Sequence, residues 1–152
     1  MKDFLVRTAT KEDIGAIQGL LYPHYFQESG YGHLTYNAEN TRKAIESYFD
    51  DGAVLLATKG GDAIGVCAVH AFKSFYDEIE VDVQMFFVKK EHRGGGVSRE
   101  MVRYVIDSAE HIGAKIIYSS CLSGMGGKVN ALWQNLWGKF GFKFLGSVMV
   151  RS

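Results

Sequence analysis

Three consecutive glycines, Gly94, Gly95 and Gly96, join an apolar run to an amphipathic run. Free amides at the start of the helix predicted from the amphipathic run, with the helix dipole behind them, favour a bound anion. Residues without side chains also let a phosphate approach closely, and Arg93 adds a charged donor. The pattern predicts a pyrophosphate cradle; a flexible strand-to-helix connector is the alternative interpretation.

The spelling of the glycine-rich segments excludes two common nucleotide-binding motifs. A P-loop requires GxxxxGK[ST], but Gly127-Lys128 is followed by Val129, and Leu122 stands where the first glycine is needed. A dinucleotide fingerprint requires GxGxxG, and Arg99 occupies the position of its third glycine. A phosphate-binding turn of a different kind is therefore expected.

The segments around this turn alternate between strand-like and helix-like periodicity. Strands are predicted at 4–7, 53–57, 63–70, 79–88, 115–119 and 142–150. The first helix is predicted to begin at a capping box over Thr10–Asp13 and to end at Pro23, with an irregular segment over 24–36 after it. Further helices are predicted from a cap at Asn37 to Gly52, at 97–112 and at 130–139. Strands between 53 and 88 form antiparallel hairpins, while the crossover through helix 97–112 makes strands 79–88 and 115–119 parallel. The order predicts a single α+β domain over 1–152 with a mixed, mostly antiparallel sheet.

Composition narrows the functional classes. The 152 residues include 17 Lys+Arg and 17 Asp+Glu, so no basic excess points to nucleic acid. No apolar run approaches the ~18 residues that cross a bilayer, and no secretory leader is evident. Cys67 and Cys121 lie outside any CxxC, and no His or Cys pair has metal-ligand spacing. We expect a cytoplasmic protein without metal, membrane or nucleic-acid partners.

Two short motifs resemble those of the GNAT family of N-acetyltransferases. Arg93–Ser98 matches the family's [RQ]-x-x-G-x-[GA] loop, with Ser98 as the final small residue. Asn130 begins a second element, followed by an aromatic residue at Trp137 and by Gly141-Phe142. The element order also matches, so the resemblance covers nearly the whole chain. It implies the acyl-CoA N-acyltransferase fold, with a splayed parallel strand pair and helices on both sheet faces.

The resemblance implies acetyl-CoA as co-substrate. The loop amides would hold its pyrophosphate, the end of strand 79–88 would offer backbone groups to the pantetheine arm, and the helix near 130–139 would add a contact. The cofactor-binding residues implied in this way are Phe87, Val88, Arg93, Gly94, Gly95, Gly96, Val97, Ser98 and Asn130.

The family activity is direct acetyl transfer to a primary amine, which needs a base for the amine proton. Asp82 is the first candidate, because it lies six residues before Val88, where some family members carry a glutamate. Glu80, on the same predicted strand face, is the second candidate. A water chain in place of a base, with Asp82 as a solvated strand-end carboxylate, is the alternative.

The proton donor for the departing thiolate is left open. Trp137 stands where the family usually has tyrosine, and an indole N–H is far too weak an acid to replace it. Tyr118, Ser119 or Cys121 could substitute, or coenzyme A could leave as thiolate. Because of Trp137, and because Ser98 replaces the final glycine or alanine of the loop motif, a non-catalytic acyl-CoA-binding module of the same fold is the alternative function.

The acceptor is a small-molecule or peptide amine that the sequence does not identify. Acidic residues entering the central strand, from Asp77 to Asp82, favour a cationic amine such as a polyamine, a lysine side chain or a protein N-terminus. A solvated hairpin end explains the same residues equally well. The short segment after Gly141-Phe142 would leave a sheet edge that a second subunit could cover, which predicts a homodimer.

Overall fold

The computed structural model describes residues 2–120 and 127–146, and within them a five-stranded sheet has the order β1-β2-β3-β4-β5. The strands are β1 (Leu5–Thr8), β2 (Gly52–Lys59), β3 (Asp62–Phe72), β4 (Glu80–Val88) and β5 (Ile116–Ser119). Neighbouring strands are antiparallel except for β4 and β5, which are parallel. The predicted α+β class with a mixed, mostly antiparallel sheet is therefore confirmed.

Helices cover both faces of this sheet. They are α1 (Ile14–Leu20), α2 (Phe26–Glu28), α3 (Ala38–Asp51), α4 (Val97–His111) and α5 (Gly127–Gly138), with a π-helical turn over Leu21–Tyr25 and 3-10 turns over Lys11–Asp13 and Lys90–His92. One apolar cluster packs α1 and α3 against the sheet, and another packs α4 and α5 against its opposite face. Adjacent β2 residues alternate between them, so that Leu56 belongs to the first cluster and Leu55 to the second.

The predicted cap of α3 agrees with the structure, whereas the predicted end of the first helix at Pro23 does not, and α5 begins three residues before its predicted start at 130. Asn37 caps α3 by accepting a hydrogen bond of 2.8 Å from the amide of Asn40. Beyond α1 the chain remains helical to Glu28 rather than becoming irregular. Only Tyr22 departs from helical geometry, because a proline disfavours that conformation in the residue before it.

The burial of β4 differs from the sequence pattern, in which alternation followed by the apolar run Met85–Val88 predicts an outer end that meets solvent and an inner end that is buried. Glu80, at the outer end, is buried, and Gln84 in the middle is exposed. A β-bulge accounts for the exposure of Gln84: Val69 lies opposite Val83 and Ala68 opposite Met85, which leaves Gln84 with no opposing residue on β3.

The parallel pairing of β4 with β5 stops just before this bulge. The last register pair is Val83 with Ser119, and β4 continues for five residues beyond it. β5 ends at Ser119, and no strand in residues 2–120 or 127–146 pairs with this edge of β4 from Gln84 to Val88, in agreement with the splayed parallel pair that the family resemblance implied.

The last predicted strand is wrong over its described part. Residues 142–146 form no strand, and residues 147–150 lie outside the described residues. The amide of Phe142 donates to the carbonyl of Trp137, so it completes the end of α5. None of the helices in the described ranges is long and apolar enough to span a membrane.

The junction between α3 and β2 provides a test of the sheet packing. A Cβ added at Gly52 would lie 1.9 Å from the carbonyl oxygen of Val69, whereas a Cβ at Gly19 on α1 would meet nothing within 4 Å. We expect Gly52→Ala to lower the free energy of unfolding by about 2 kcal/mol or more, since the strands must separate. Gly19→Ala should raise it by about 0.5–1 kcal/mol. Urea denaturation measures both, and a Gly52→Ala protein as stable as wild type would contradict this packing.

Candidate functional site

A cavity of about 710 Å³ extends along β4 from the bulge to the end of the strand. Its walls are the five residues Gln84–Val88, the α1–α2 segment with α3 on one side, and α5 on the other. The turn between β4 and α4 closes one end. The cavity therefore lies along the edge of β4 that β5, which ends at Ser119, leaves vacated among the described residues.

The backbone of β4 presents hydrogen-bonding groups to this space. The amide of Lys89 donates to the carbonyl of Ile64 on β3, at 2.9 Å. Backbone groups alternate in direction along an antiparallel strand, so Phe87 also faces β3, whereas Phe86 and Val88 face the vacated side. Phe86 and Val88 are therefore the strand residues whose backbone a ligand could use.

Arg93 is held at the corner between the strand and the turn. Its Nε donates to the carbonyl oxygen of Val88 at 2.8 Å, and Nη1 donates to a carboxylate oxygen of Glu28 at 2.7 Å. The guanidinium carbon also lies 5.5 Å from the centroid of the Phe87 ring. Arg93, the predicted phosphate donor, therefore uses two of its five N–H groups in bonds within the protein, and the other three take no part in these two bonds.

The glycine turn has the geometry of a main-chain anion site. Gly94 and Gly96 have φ values of +86° and +94°, which favour glycine. The first amides of an α-helix have no intrahelical acceptor. Gly96, the N-cap of α4, has no side chain that could accept from them. Gly94, Gly96 and Ser98 line the end of the cavity. Any oxyanion in this corner would meet main-chain donors and the positive end of the helix dipole.

The structure brings most of the predicted cofactor-binding residues to one wall. Those lining the cavity are Phe87, Val88, Arg93, Gly94, Gly96 and Ser98. Three of the predicted residues do not line the cavity. Gly95 is exposed at the turn, and Val97, the first residue of α4, is buried in the core. Asn130 is exposed on α5. Sequence reasoning missed Val129, Trp133 and Leu136, although their spacing of three and four residues indicates one helix face.

Two of the three predicted catalytic residues bond to each other. Glu80 is 2% exposed and accepts hydrogen bonds from the hydroxyls of Ser74 and Tyr118, the latter at 2.9 Å. These bonds hold the pKa of Glu80 below its usual value, and the bond to Glu80 raises the pKa of Tyr118. Neither side chain lines the cavity. Both shifts move the groups away from neutral pH, where a base or acid works best.

Asp82 has the opposite electrostatic environment. It lies opposite His70 on β3 and Tyr118 on β5, so the three residues form a row on one sheet face. Partial burial raises the pKa of Asp82, and the nearby His70 opposes that rise. Asp82 is two residues before Gln84, which lines the cavity, but is not itself part of the described wall. Its role as base remains a prediction.

Trp137, at the position where the family pattern has a tyrosine that could donate a proton, lies beside the cavity. Its ring is 2% exposed and contacts Phe86, Trp133 and Phe142 at centroid distances of 4.8–5.8 Å. The indole Nε1 and the hydroxyl of Ser119 are buried without a hydrogen-bond partner in the described part of the chain. Such buried polar atoms are rare in proteins and require an explanation.

One candidate proton donor from the sequence has no described position. Cys121 lies outside the described residues. Over residues 2–120 and 127–146, no group of three or more His, Cys, Asp or Glu side chains is placed to hold a metal ion.

Comparison with known proteins identifies relatives of the whole chain. The model of the Acetyltransferase (GNAT) family matches residues 14–142. No curated protein sequence matches the chain.

Solved structures share the fold at low sequence identity. An aminoglycoside acetyltransferase from an uncultured soil metagenomic sample is 20% identical, with a TM-score of 0.69, and the match covers 99% of this chain and 100% of that one. AAC(6')-Iy in complex with the bisubstrate analogue CoA-S-monomethyl-acetylneamine is 18% identical, with a TM-score of 0.73 and coverage of 99% and 98%. Glucosamine-6-phosphate N-acetyltransferase from Arabidopsis thaliana is 14% identical, with a TM-score of 0.67 and 99% of each chain covered.

The bond between Glu80 and Tyr118 predicts a pH-dependent contribution to stability. Tyr118→Phe removes one donor, so the pKa of Glu80 should rise toward 4.5 and the urea midpoint at pH 7 should fall. Because the folded pKa of Glu80 is depressed, this contribution is complete above pH 4.5 and disappears as the pH falls through the folded value. Tyr76→Phe, on a ring that is 63% exposed, is the control. Equal midpoints for wild type and Tyr118→Phe at pH 7 would show that the bond does not stabilise the fold.

Proposed function

The chain belongs to the GNAT family of acetyltransferases, and from that premise we propose that it transfers an acetyl group from acetyl-CoA directly to a primary amine. One observation carries the proposal: the anion-binding turn and the vacated edge of β4 open into the same cavity. A coenzyme with a diphosphate at one end and an extended amide-containing arm needs both features together. A pocket without the strand edge would bind the phosphates alone.

The residues present fit this coenzyme. Gly94 to Ser98 would hold the pyrophosphate through main-chain amides, because Gly96 provides no competing side-chain cap. Phe86 and Val88 would pair with the amides of the pantetheine arm through their outward-facing backbone groups. The unpartnered Nε1 of Trp137 is a further donor buried beside Phe86. When bound, the coenzyme supplies the activated acetyl group as a thioester.

Asp82 is our proposed base for the acceptor ammonium. A primary amine attacks only as the free base, so a proton must leave before or during the transfer. Burial raises the pKa of Asp82, which makes it a better proton acceptor than an exposed aspartate, and the nearby His70 only partly opposes that rise. We assign Glu80 and Tyr118 a positioning role, because they bond to each other and Tyr118 lies directly opposite Asp82 on β5.

The alternative function, an acyl-CoA-binding module without turnover, is motivated by Trp137. The indole cannot protonate a thiolate, and the described Tyr118 hydroxyl is bonded to a carboxylate. A thiolate can nevertheless leave unprotonated and be stabilised by hydrogen bonds, so the absence of an acid does not prevent catalysis. Release of free thiol from acetyl-CoA with an amine present, compared with acetyl-CoA alone, distinguishes the two functions.

The structural neighbours do not establish which amine this chain acetylates. Two of them are aminoglycoside acetyltransferases, but at 18–20% identity the likeness establishes the fold rather than the substrate. The proposal at this level is therefore a primary amine of small-molecule or peptide origin.

A charge introduced at Gly95 tests the phosphate site. Gly95 is exposed, its φ lies outside the left-handed range, and its Cβ would lie 3.7 Å from the nearest atom, the carbonyl oxygen of His92. Gly95→Asp should weaken acetyl-CoA binding by about tenfold or more through repulsion of the phosphates, with less effect at high salt. Gly95→Asn has the same shape without the charge and is the control. Calorimetric affinities that are equal for the two variants would place the diphosphate elsewhere.

Replacement of Asp82 tests the proposed base. Asp82→Asn should lower kcat/KM for the amine by about 100-fold while the affinity for acetyl-CoA is retained. In wild type, activity should fall as the pH drops through the raised pKa of Asp82, and the variant should lack this limb. Asp77→Asn, at an exposed position before the same strand, is the matched control. An unchanged pH profile in Asp82→Asn would indicate that water or another group takes the proton.

A further inference from the structure

The side of the cavity opposite α5 is apolar and contains three aromatic rings. It is built from the α1–α2 segment and from α3, two elements on the same sheet face. The side chains lining it are Leu21, Tyr25, Phe26, Thr41, Ala44, Ile45 and Tyr48. Thr41 is the one aliphatic hydroxyl among these residues, and none of the seven carries a charge.

The charges around the whole cavity are of one sign. All 17 acidic residues of the chain lie in the described ranges, and none of them lines the cavity. The charged side chains on the described wall are Arg93, Arg99 and Lys139, which are all basic. A ligand with several positive charges would bury them without carboxylate partners and beside like charges, which is costly.

The acidic residues expected to attract a cationic acceptor do not line the cavity. Asp77 and Glu78 are exposed in the segment before β4, and Glu80 accepts from Ser74 and Tyr118. Two acidic residues that lie close to the aromatic wall along the chain are paired with arginines, Glu28 with Arg93 and Glu46 with Arg42. Asp82, two residues before Gln84, is therefore the carboxylate that a single ammonium group could meet at the bulge.

The aromatic side chains of this wall are held by one another. Tyr25 contacts Phe87 edge to face at 5.6 Å, and Phe26 contacts Tyr36 edge to face at 5.1 Å. Tyr36 also stacks on Tyr22 at 4.1 Å. Rings fixed in this way present a preformed apolar surface, which binds another apolar group without a large ordering cost.

We infer that the acceptor of this enzyme is a monoamine with an apolar, aromatic body, of the arylalkylamine class, and not a polyamine or an aminoglycoside. The inference rests on the proposed function and extends it to a substrate class. The apolar body packs between Tyr25, Phe26 and Tyr48, and the single amine lies toward Asp82 and the bulge. Asp82 accepts the first proton from the ammonium group, and the free amine then attacks the thioester. The N–C bond forms, the C–S bond breaks, coenzyme A leaves as the thiolate, and the second nitrogen proton passes to that thiolate or to solvent.

A matched panel of amines tests the substrate class. Phenethylamine and tryptamine are compared with spermidine and kanamycin at saturating acetyl-CoA, with free thiol as the readout. We expect kcat/KM to be at least about tenfold higher for the two arylalkylamines, because the polycations lose hydration without gaining partners. Turnover that is equal or better with spermidine or kanamycin would overturn the inference while leaving the acetyltransferase function intact.

Direct binding separates a failure of this inference from a failure of the proposed function. If no amine releases thiol although acetyl-CoA binds, the catalytic proposal fails, and titration of the CoA-loaded protein with phenethylamine and spermidine still tests the apolar wall. Saturable binding of phenethylamine in preference to spermidine supports the inference. Preference for spermidine, or binding of neither amine, overturns it.

A substitution on α3 provides the reciprocal test. Ala44 lines the cavity from an exposed position on the helix, so a polar residue there should not disturb the core. Ala44→Asp adds the missing carboxylate and should shift the kcat/KM ratio of spermidine to phenethylamine upward by about tenfold. Ala44→Asn, with the same shape, should leave that ratio within about threefold of wild type. Equal ratios in the two variants would place the acceptor away from this wall.

Discussion

The loss of pairing between β4 and β5 after Val83 and Ser119 is the constraint on which the rest of the structure depends. A strand edge inside a protein cannot remain without partners, because buried amides and carbonyls need hydrogen bonds. This structure satisfies the carbonyl of Val88 with Arg93 and leaves a cavity along the remainder of the edge. The bulge at Gln84 adds to the separation, since it bends β4 at the residue where pairing ends. In our proposal, the coenzyme arm supplies its own amides and would complete this edge as a short strand does.

The two sides of the cavity are connected through Arg93. Its guanidinium joins the end of β4 to Glu28 of α2, and so it links the proposed coenzyme corner to the proposed acceptor wall. Both side chains are only partly exposed, so solvent screens this pair less than it would a surface pair. A phosphate at the turn would compete with Glu28 for the same cation. The arginine of the loop motif therefore has a structural role in this chain as well as its proposed coenzyme role.

The surroundings of the two neighbouring carboxylates of β4 shift their pKa values in opposite directions. Glu80 and Asp82 are two residues apart on one strand face, yet the pKa of Glu80 is lowered and that of Asp82 is raised. Hydrogen bonds from Ser74 and Tyr118 stabilise the charge on Glu80, whereas partial burial destabilises the charge on Asp82. One carboxylate is thereby fixed in its ionised form, and the other is made more basic. Divergent shifts of this kind are how paired acidic residues acquire different roles.

The sequence by itself determined the class of fold, the parallel pairing around α4, the cap at Asn37 and the glycine turn. These features depend on propensities and periodicities within a few residues, or on the handedness of one crossover, and so they can be recognised locally. The tertiary structure alone decided where the strands part, that Gln84 bulges, that the helical segment continues past Pro23, and which groups meet. Tyr118 and Glu80 are 38 residues apart and Arg93 and Glu28 are 65 apart, so no local pattern records their bonds. The surroundings of the acidic residues before the central strand could not be read locally either, because Glu80 meets Tyr118 only in the folded sheet while Asp77 and Glu78 remain exposed.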